Sequence, residues 1–194
     1  PTCHSNDWKV FARKDYVRRA LSENSYDAIR QDVLFDLWFA GAEEIRLQSI
    51  GCTRCGFFCY SPRPDEHDLA QKYAYITNHE SGSKEIYTPR ASDKARARDL
   101  FTYTQALLQT TPARIIDYGG GDGRLLGKFV EQGHDCSVID FTNKTIPGVT
   151  YAGTDPLQVQ TGHYDLVTCS HVIEHIAEPV ATLQHLKELL ADSG

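Results

Sequence analysis

The chain of 194 residues has no apolar run near the roughly 20 residues that a membrane-spanning helix needs. The stretch from Pro1 to Val10 is polar and lacks the apolar segment of a secretory signal peptide. The first absence argues against a membrane protein and the second against an exported one. We therefore expect a cytoplasmic protein.

An excess of positive charge is also missing. The sequence has 20 lysines and arginines against 26 acidic residues, which gives a formal net charge of −6. Proteins that bind nucleic acids usually meet the phosphates with a basic surface, so this balance disfavours a nucleic-acid partner and favours a small molecule. We predict that the basic cluster of Lys94, Arg96 and Arg98 is the solvated face of a helix.

The six cysteines are not expected to form disulfides in a reducing compartment. Cys52 and Cys55 have the two-residue spacing, with a glycine after the second cysteine, that lets two thiolates bind one tetrahedral zinc ion. Cys3 is the predicted third ligand. The fourth ligand stays open between His4, Cys59 and a cysteine ahead of Pro1, and free buried thiols are the alternative to zinc.

Strand and helix patterns predict an α/β protein with three parts. We expect a zinc-binding module with a helical insertion at residues 1–62, a helical linker or lid at 63–112, and a cofactor-binding domain at 113–194. From Ala113 onward strands alternate with helices, which is the pattern of a Rossmann-like parallel sheet with crossover helices. In the zinc-binding module we predict one strand at 45–49 and a returning strand at 57–60, on either side of the Cys52–Cys55 turn. The predicted strands of the third part lie at 113–117, 136–140, 149–153 and 164–169. The predicted helices lie at 26–40, 65–73, 92–109, 124–132 and 179–190, and a loop is predicted at 77–89.

A glycine-rich turn follows the first of these parallel strands. Gly119, Gly121 and Gly123 alternate there, and glycine lets backbone N–H groups approach a ligand closely. Asp140 ends the next strand about 20 residues downstream, where a carboxylate can accept hydrogen bonds from ribose hydroxyls. The pattern predicts an adenosine-containing cofactor.

Two common nucleotide-binding patterns do not fit this turn. In a dinucleotide site the third glycine would fall on Arg124 or Leu126, and neither residue is small. A phosphate-binding P-loop needs Gly-Lys followed by Ser or Thr, but Phe129 follows Lys128.

The turn resembles motif I of the class I S-adenosylmethionine-dependent methyltransferases, with Asp117 as its acidic first residue. The segment 164–179, YDLVTCSHVIEHIAEP, resembles the fourth-strand motif of small-molecule members of the ubiquinone-biosynthesis type. The resemblance covers 113–194, and such enzymes often begin with a zinc ribbon. It implies S-adenosylmethionine as the cofactor, held by Asp117, Gly119, Gly121, Gly123, Asp140, Phe141, Asp155 and Ser170.

The resemblance also suggests roles within this set. Gly119 and Gly121 would lie against the methionine half, Asp140 would hold the ribose, and Phe141 would line the adenine. Asp155 would contact the adenine amine, and a turn formed by Asp155 and the proline after it is the alternative.

Three polar residues follow the predicted fourth strand, at the edge where ligands bind in open α/β sheets. His171, Glu174 and His175 are the candidate catalytic residues, because a hydroxyl or activated-carbon acceptor needs a base to take its proton. The resemblance places His175 first among them.

The function predicted from these patterns is methyl transfer to a small biosynthetic intermediate, such as a sugar or a polyketide. A non-catalytic cofactor-binding or scaffolding protein is one alternative, and an RNA or protein methyltransferase that docks through the zinc module is another. The family's sheet continues beyond four strands. We therefore expect the intact protein to extend past Gly194, and an exposed sheet edge could allow self-association.

Overall fold

Two sheets organise the chain, one in each of the compact units Pro1–Glu85 and Ile86–Gly194. The computed structural model describes residues 3–19, 26–80, 91–141 and 143–194. Within these residues, no helix is both long and apolar enough to span a membrane.

The first unit contains an antiparallel sheet in the order β1-β2-β3. Its strands are β1 (Trp8–Val17), β2 (Glu44–Cys52) and β3 (Phe58–Ser61). A tight turn joins β2 to β3, closed by the Gly56 N–H donating to the Cys52 carbonyl at 3.0 Å. The two strands around this turn were predicted, whereas β1 was not.

Two helical segments complete the first unit. Helix α1 (Tyr26–Asp32) continues into a π-helical segment (Val33–Trp38) that buries Val33 and Phe35, which confirms the predicted helical stretch. Helix α2 (Glu66–Glu80) begins with a reciprocal cap, because the backbone N–H groups of Asp65 and Asp68 each donate to the other's carboxylate.

Helix α2 runs past its predicted end at Tyr73. The predicted loop at 77–89 is therefore wrong for 77–80, which are helical, and its remainder lies outside the described residues.

The second unit contains a parallel sheet in the order β6-β5-β4-β7. The chain builds one side of the sheet with β4, β5 and β6 and then crosses to place β7 on the other side of β4. The order of strands thus reverses between β4 and β7. The elements are α3 (Ala91–Thr104), β4 (Arg114–Tyr118), α4 (Gly127–Glu131), β5 (Asp135–Ile139), β6 (Val149–Gly153), β7 (Leu166–Thr168) and α5 (Pro179–Leu189).

Both faces of the parallel sheet are covered. Ile115 and Ile116 are adjacent on β4, point to opposite faces and have no exposed surface. One packs in a cluster with Phe129 and the other in a cluster with Leu189. Burying each such side chain contributes about 1.5–3 kcal/mol. The predicted α/β class and parallel sheet are confirmed.

Candidate functional site

The three cysteines predicted as zinc ligands lie together in the first unit. The sulfur atoms of Cys3, Cys52 and Cys55 are all within 4.8 Å of one another, and those of Cys3 and Cys52 are 3.6 Å apart. The tight turn between β2 and β3 places Cys52 beside Cys55. Neither His4 nor Cys59 belongs to this group. Three converging thiols are a donor set that suits zinc.

The glycine turn follows β4 in the second unit. Gly119 and Gly121 have φ values of +67° and +61°, a region that side chains rarely tolerate. A Cβ at position 119 would lie 2.5 Å from a methyl group of Val172, so the turn packs directly against the loop after β7. A Cβ at position 121 would meet nothing within 4 Å. The backbone is therefore open at Gly121 and closed at Gly119.

Asp117 is a buried carboxylate at the carboxyl end of β4. The Thr168 hydroxyl on β7 donates to its Oδ1 at 2.7 Å, but its Oδ2 is buried with no hydrogen-bond partner in the described part of the chain. Burial raises its pKa to about 6, although the Thr168 hydrogen bond lowers it. An unpaired buried oxygen normally has an unseen partner, such as a ligand, water or ion.

Asp140 lies beside the glycine turn, immediately after β5. Its carboxylate accepts a hydrogen bond from the Gly121 N–H at 2.8 Å, and its own N–H donates to the Gly153 carbonyl at 3.2 Å. These bonds fix Asp140 at the carboxyl edge of the sheet, where the sequence predicted it.

The structure corrects one prediction about the basic cluster. Lys94 and Arg98 are exposed as expected, but Arg96 is half-buried and its guanidinium donates to the Ser170 hydroxyl at 3.4 Å. Its charge also acts to lower the pKa of Asp117. Arg96 is therefore a site residue that the sequence analysis missed, because nothing local indicates that α3 meets the loop after β7.

Two further site predictions fall near the sheet edge. Phe141 follows Asp140 directly, and 69% of its surface is exposed. Asp155 follows β6, and its Oδ1 accepts from the Leu157 N–H at 2.9 Å, so it closes the Asp-Pro turn. Gly123 has a φ of +78° and directly precedes the 3-10 turn Arg124–Leu126. It packs against the Val149 side chain at the start of β6.

The candidate catalytic residues lie in the loop after β7. The His171 Nδ1 atom is 3.5 Å from the Glu174 Oε1 atom, and both side chains are exposed. His175 ends a 3-10 turn (Ile173–His175), and its backbone N–H donates to the Val172 carbonyl. His171 also has a φ of +60°, which is unusual for a residue with a side chain.

A family model described as a methyltransferase domain matches residues 92–194, which is more than half of the chain. The chain belongs to the class I S-adenosylmethionine-dependent methyltransferases. The methyltransferase domain thus comprises α3, the glycine turn and the parallel sheet.

Two ubiquinone biosynthesis O-methyltransferases match somewhat less than half of this chain. A ubiquinone biosynthesis O-methyltransferase of Xanthomonas oryzae pv. oryzae is 28% identical over 106 residues, covering 47% of this chain and 44% of that protein. One of the same name from Nitrosospira multiformis is 30% identical over 94 residues, covering 41% and 39%. The matched part is thus less than half the length of these relatives.

A solved structure shares the fold. The 1,6-didemethyltoxoflavin N1-methyltransferase of Burkholderia thailandensis, which was crystallised with S-adenosylhomocysteine, aligns with a TM-score of 0.51 at 18% identity. The alignment covers 68% of this chain and 62% of that chain.

The residues at the sheet edge fit the cofactor of this family. The methionine part of S-adenosylmethionine carries an ammonium and a carboxylate, and the methyltransferase domain offers an unpaired oxygen on Asp117 and a cation on Arg96. The open backbone at Gly121 leaves room for a ligand at the turn that follows Asp117.

Proposed function

We propose that the chain binds S-adenosylmethionine and transfers its methyl group to a small biosynthetic intermediate, such as a sugar or a polyketide. The observation that carries the proposal is the buried Asp117 carboxylate, whose unpaired oxygen lies beside the glycine turn. The family of residues 92–194 supports methyl transfer, and the name of the Xanthomonas relative supports a small acceptor.

In this proposal each end of the methionine part meets an opposite charge. Asp117 pairs with the ammonium and Arg96 with the carboxylate. Gly121 leaves space for the ligand, and Gly119 lies against the methionine part with its other side packed on Val172. Ser170 holds Arg96 in place through their hydrogen bond. A buried charge without a partner is costly, so binding of the ammonium would stabilise the ionised Asp117.

The adenosine half is assigned to residues after β5 and β6. Asp140 accepts hydrogen bonds from the ribose hydroxyls, and Phe141 lines the adenine. Asp155 contacts the adenine amine with the carboxylate oxygen that does not close its turn. Gly123 contributes through the shape of the turn.

We also propose one structural zinc ion in the first unit, bound by Cys3, Cys52 and Cys55. The support is the group of three sulfur atoms within 4.8 Å. A closed four-ligand shell has no open position for catalysis, so this zinc would stabilise the fold. The fourth ligand is left unassigned.

Calorimetry with S-adenosylhomocysteine and with NAD⁺ tests the cofactor assignment. We expect binding of the first ligand and none of the second, because Arg124 occupies the place of the third dinucleotide glycine and is held by Asp122 at 2.7 Å. Binding of NAD⁺ instead would overturn the proposal.

A non-catalytic role is the competing function. Incubation with S-adenosylmethionine and a panel of small hydroxyl and amine acceptors separates the two. A chain that binds S-adenosylhomocysteine but methylates no acceptor would favour cofactor binding without catalysis.

A further inference from the structure

The loop after β7 holds one histidine in an unusual backbone conformation. His171 has a φ of +60°, a region that residues with a side chain adopt only at an energetic cost. Such strain persists only where the surrounding structure enforces it, and it is concentrated at functional sites. The conformation therefore calls for a role for the His171 side chain.

Both neighbours of His171 contact the proposed cofactor site. Ser170 accepts the hydrogen bond from Arg96, and the Val172 side chain packs on Gly119. His171 is thus anchored on each side by a residue of the site, yet 69% of its own side chain is exposed. An accessible imidazole therefore lies between two residues that contact the site.

Glu174 gives this imidazole an orientation. Its Oε1 lies 3.5 Å from Nδ1 of His171, and catalytic contacts of this kind are often long in the absence of ligands. A carboxylate beside Nδ1 favours the tautomer in which Nδ1 carries the proton. The Nε2 atom is then the basic nitrogen and points away from Glu174.

We propose that His171 is the general base of the methyl transfer, that Glu174 is its positioning residue, and that the acceptor atom is a hydroxyl oxygen. The proposal rests on the function proposed above. It differs from the sequence-based ranking, which placed His175 first.

The chemistry follows from the two nitrogen atoms of His171. The bound cofactor supplies an electrophilic methyl group: the acceptor oxygen forms the new O–C bond, and the electron pair of the broken S–C bond stays on sulfur. Nε2 of His171 takes the hydroxyl proton as the oxygen attacks and later releases it to water. Glu174 stabilises the imidazolium in between.

This role selects an acceptor class. A neutral amine already has the lone pair that attacks the methyl carbon, whereas an un-ionised alcohol or phenol must lose a proton for efficient attack. A positioned base contributes about 10²–10⁴-fold to such a step. A base beside the site is therefore most useful to a hydroxyl acceptor.

The tautomer of His171 can be measured without turnover. Nitrogen-detected NMR of the ¹⁵N-histidine-labelled full chain at pH 8 should show the proton of His171 on Nδ1, and Glu174→Gln should weaken this preference. A proton on Nε2 in the wild-type chain would overturn the proposal.

Turnover provides the second measurement, with catechol as the phenolic acceptor. His171→Asn retains a residue that tolerates the left-handed conformation, so the fold should be kept. We expect kcat to fall about 10²–10⁴-fold while the affinity for S-adenosylhomocysteine changes less than threefold. The matched control is His163→Asn, at a histidine that precedes β7 at the opposite edge of the sheet, and it should keep kcat within about threefold. In the competing variant, His175→Asn, kcat should fall less than in His171→Asn.

A more acidic acceptor separates a base from a merely structural residue. 4-Nitrocatechol is ionised at pH 8, so it needs no base and should restore most of the lost rate in His171→Asn. Equal losses on both acceptors, a larger loss in His175→Asn, or no transfer to either catechol by a wild-type chain that binds S-adenosylhomocysteine would each refute the role of His171. Failure to bind S-adenosylhomocysteine would instead refute the proposed function.

Discussion

The two units differ in how much apolar side chain they bury. In the second unit, Ile115 and Ile116 of the parallel sheet have no exposed surface. The same holds for Phe129 and Leu189, which lie on helices packed against that sheet. The described residues of the first unit bury only Val33, Phe35, Ile45 and Cys52 to a similar degree. A small core supplies little stability, and small modules often add a metal or disulfides to compensate.

The two units also differ in the polar groups that they hold. The large core of the second unit can tolerate a buried carboxylate, Asp117, whose unpaired oxygen is available to a ligand. The first unit instead brings three thiols together, a group suited to a cross-link that holds the sheet. We expect the first unit to depend on a metal ion for folding and the second unit to depend on its ligand for activity.

The largest expected effect is the loss of zinc in Cys52→Ser. Structural zinc contributes an apparent 10–16 kcal/mol in zinc-finger peptides, so we expect the first unit to unfold while the second keeps its melting transition. Elemental analysis should give about one zinc per wild-type chain and none in the variant, and hydrogen exchange should localise the unfolding.

The control for this experiment is Cys59→Ser, because the Cys59 sulfur is outside the close group. The Cys59→Ser variant should retain zinc. Loss of zinc in this variant would identify Cys59 as the fourth ligand. A wild-type chain without metal would mean that both units fold by apolar packing alone.

The next effect concerns the pH dependence of the second unit. Burial raises the pKa of Asp117 from 3.8 to about 6, so between these values the folded chain keeps a proton that the unfolded chain has released. The stability contributed by this group is therefore greatest below pH 4 and is lost as the pH rises to 6, by about 3 kcal/mol.

Denaturant unfolding of the wild type and Asp117→Asn at several pH values isolates this contribution. We expect the free energy of unfolding of the wild type to decline relative to the variant between pH 4.5 and 7. Parallel curves would show that Asp117 is not the group that titrates.

A smaller effect is expected for Asp140→Ala. Removing a charged acceptor of the ribose hydroxyls should weaken S-adenosylhomocysteine binding by about 1.5–3 kcal/mol, measured by calorimetry. Asp135→Ala is the matched control, since Asp135 is exposed at the opposite end of the same strand. Unchanged affinity in Asp140→Ala would remove Asp140 from the site.

The smallest effect is expected for Phe141→Ala. Because the ring is 69% exposed, its contact with adenine should contribute less than about 1.5 kcal/mol to binding. Leu157→Ala, at a residue that is 75% exposed, is the control for general loss of surface apolar area. Equal affinities in the two variants would leave the adenine without an aromatic contact.

The two central strands of the second unit, β4 and β5, were predictable because they are buried on both faces. Runs such as Ile115–Ile116 and Val138–Ile139 have few exposed positions, and such runs identify strands locally. Strand β1 was harder to predict, because Lys14 interrupts the alternating apolar residues Trp8, Val10 and Tyr16 and the register shifts between Val10 and Ala12. Its conformation comes from pairing with β2, which begins at Glu44.

The residues of the site also differ in how well the sequence predicts that they lie together. Residues close in sequence were predicted as a group, and residues far apart in sequence were not. The glycine turn and Asp140 are about 20 residues apart and belong to one strand-turn-helix-strand unit, so their spacing indicated a shared ligand. Arg96 and Ser170 are separated by 74 residues, and only the folded chain shows that they meet. His171 was a candidate by position, but its strained backbone and its pairing with Glu174 are properties of the fold.

The contact between Gly119 and Val172 limits how this site can change over evolution. A Cβ at position 119 would lie 2.5 Å from the Val172 methyl group, and the φ of +67° would disfavour it even if Val172 became smaller. Substitution of Gly119 is therefore disfavoured. Position 172 can accept only side chains that still fit against the Gly119 backbone. New acceptor specificities are therefore expected to arise from substitutions elsewhere in the loop after β7, with this pair kept fixed.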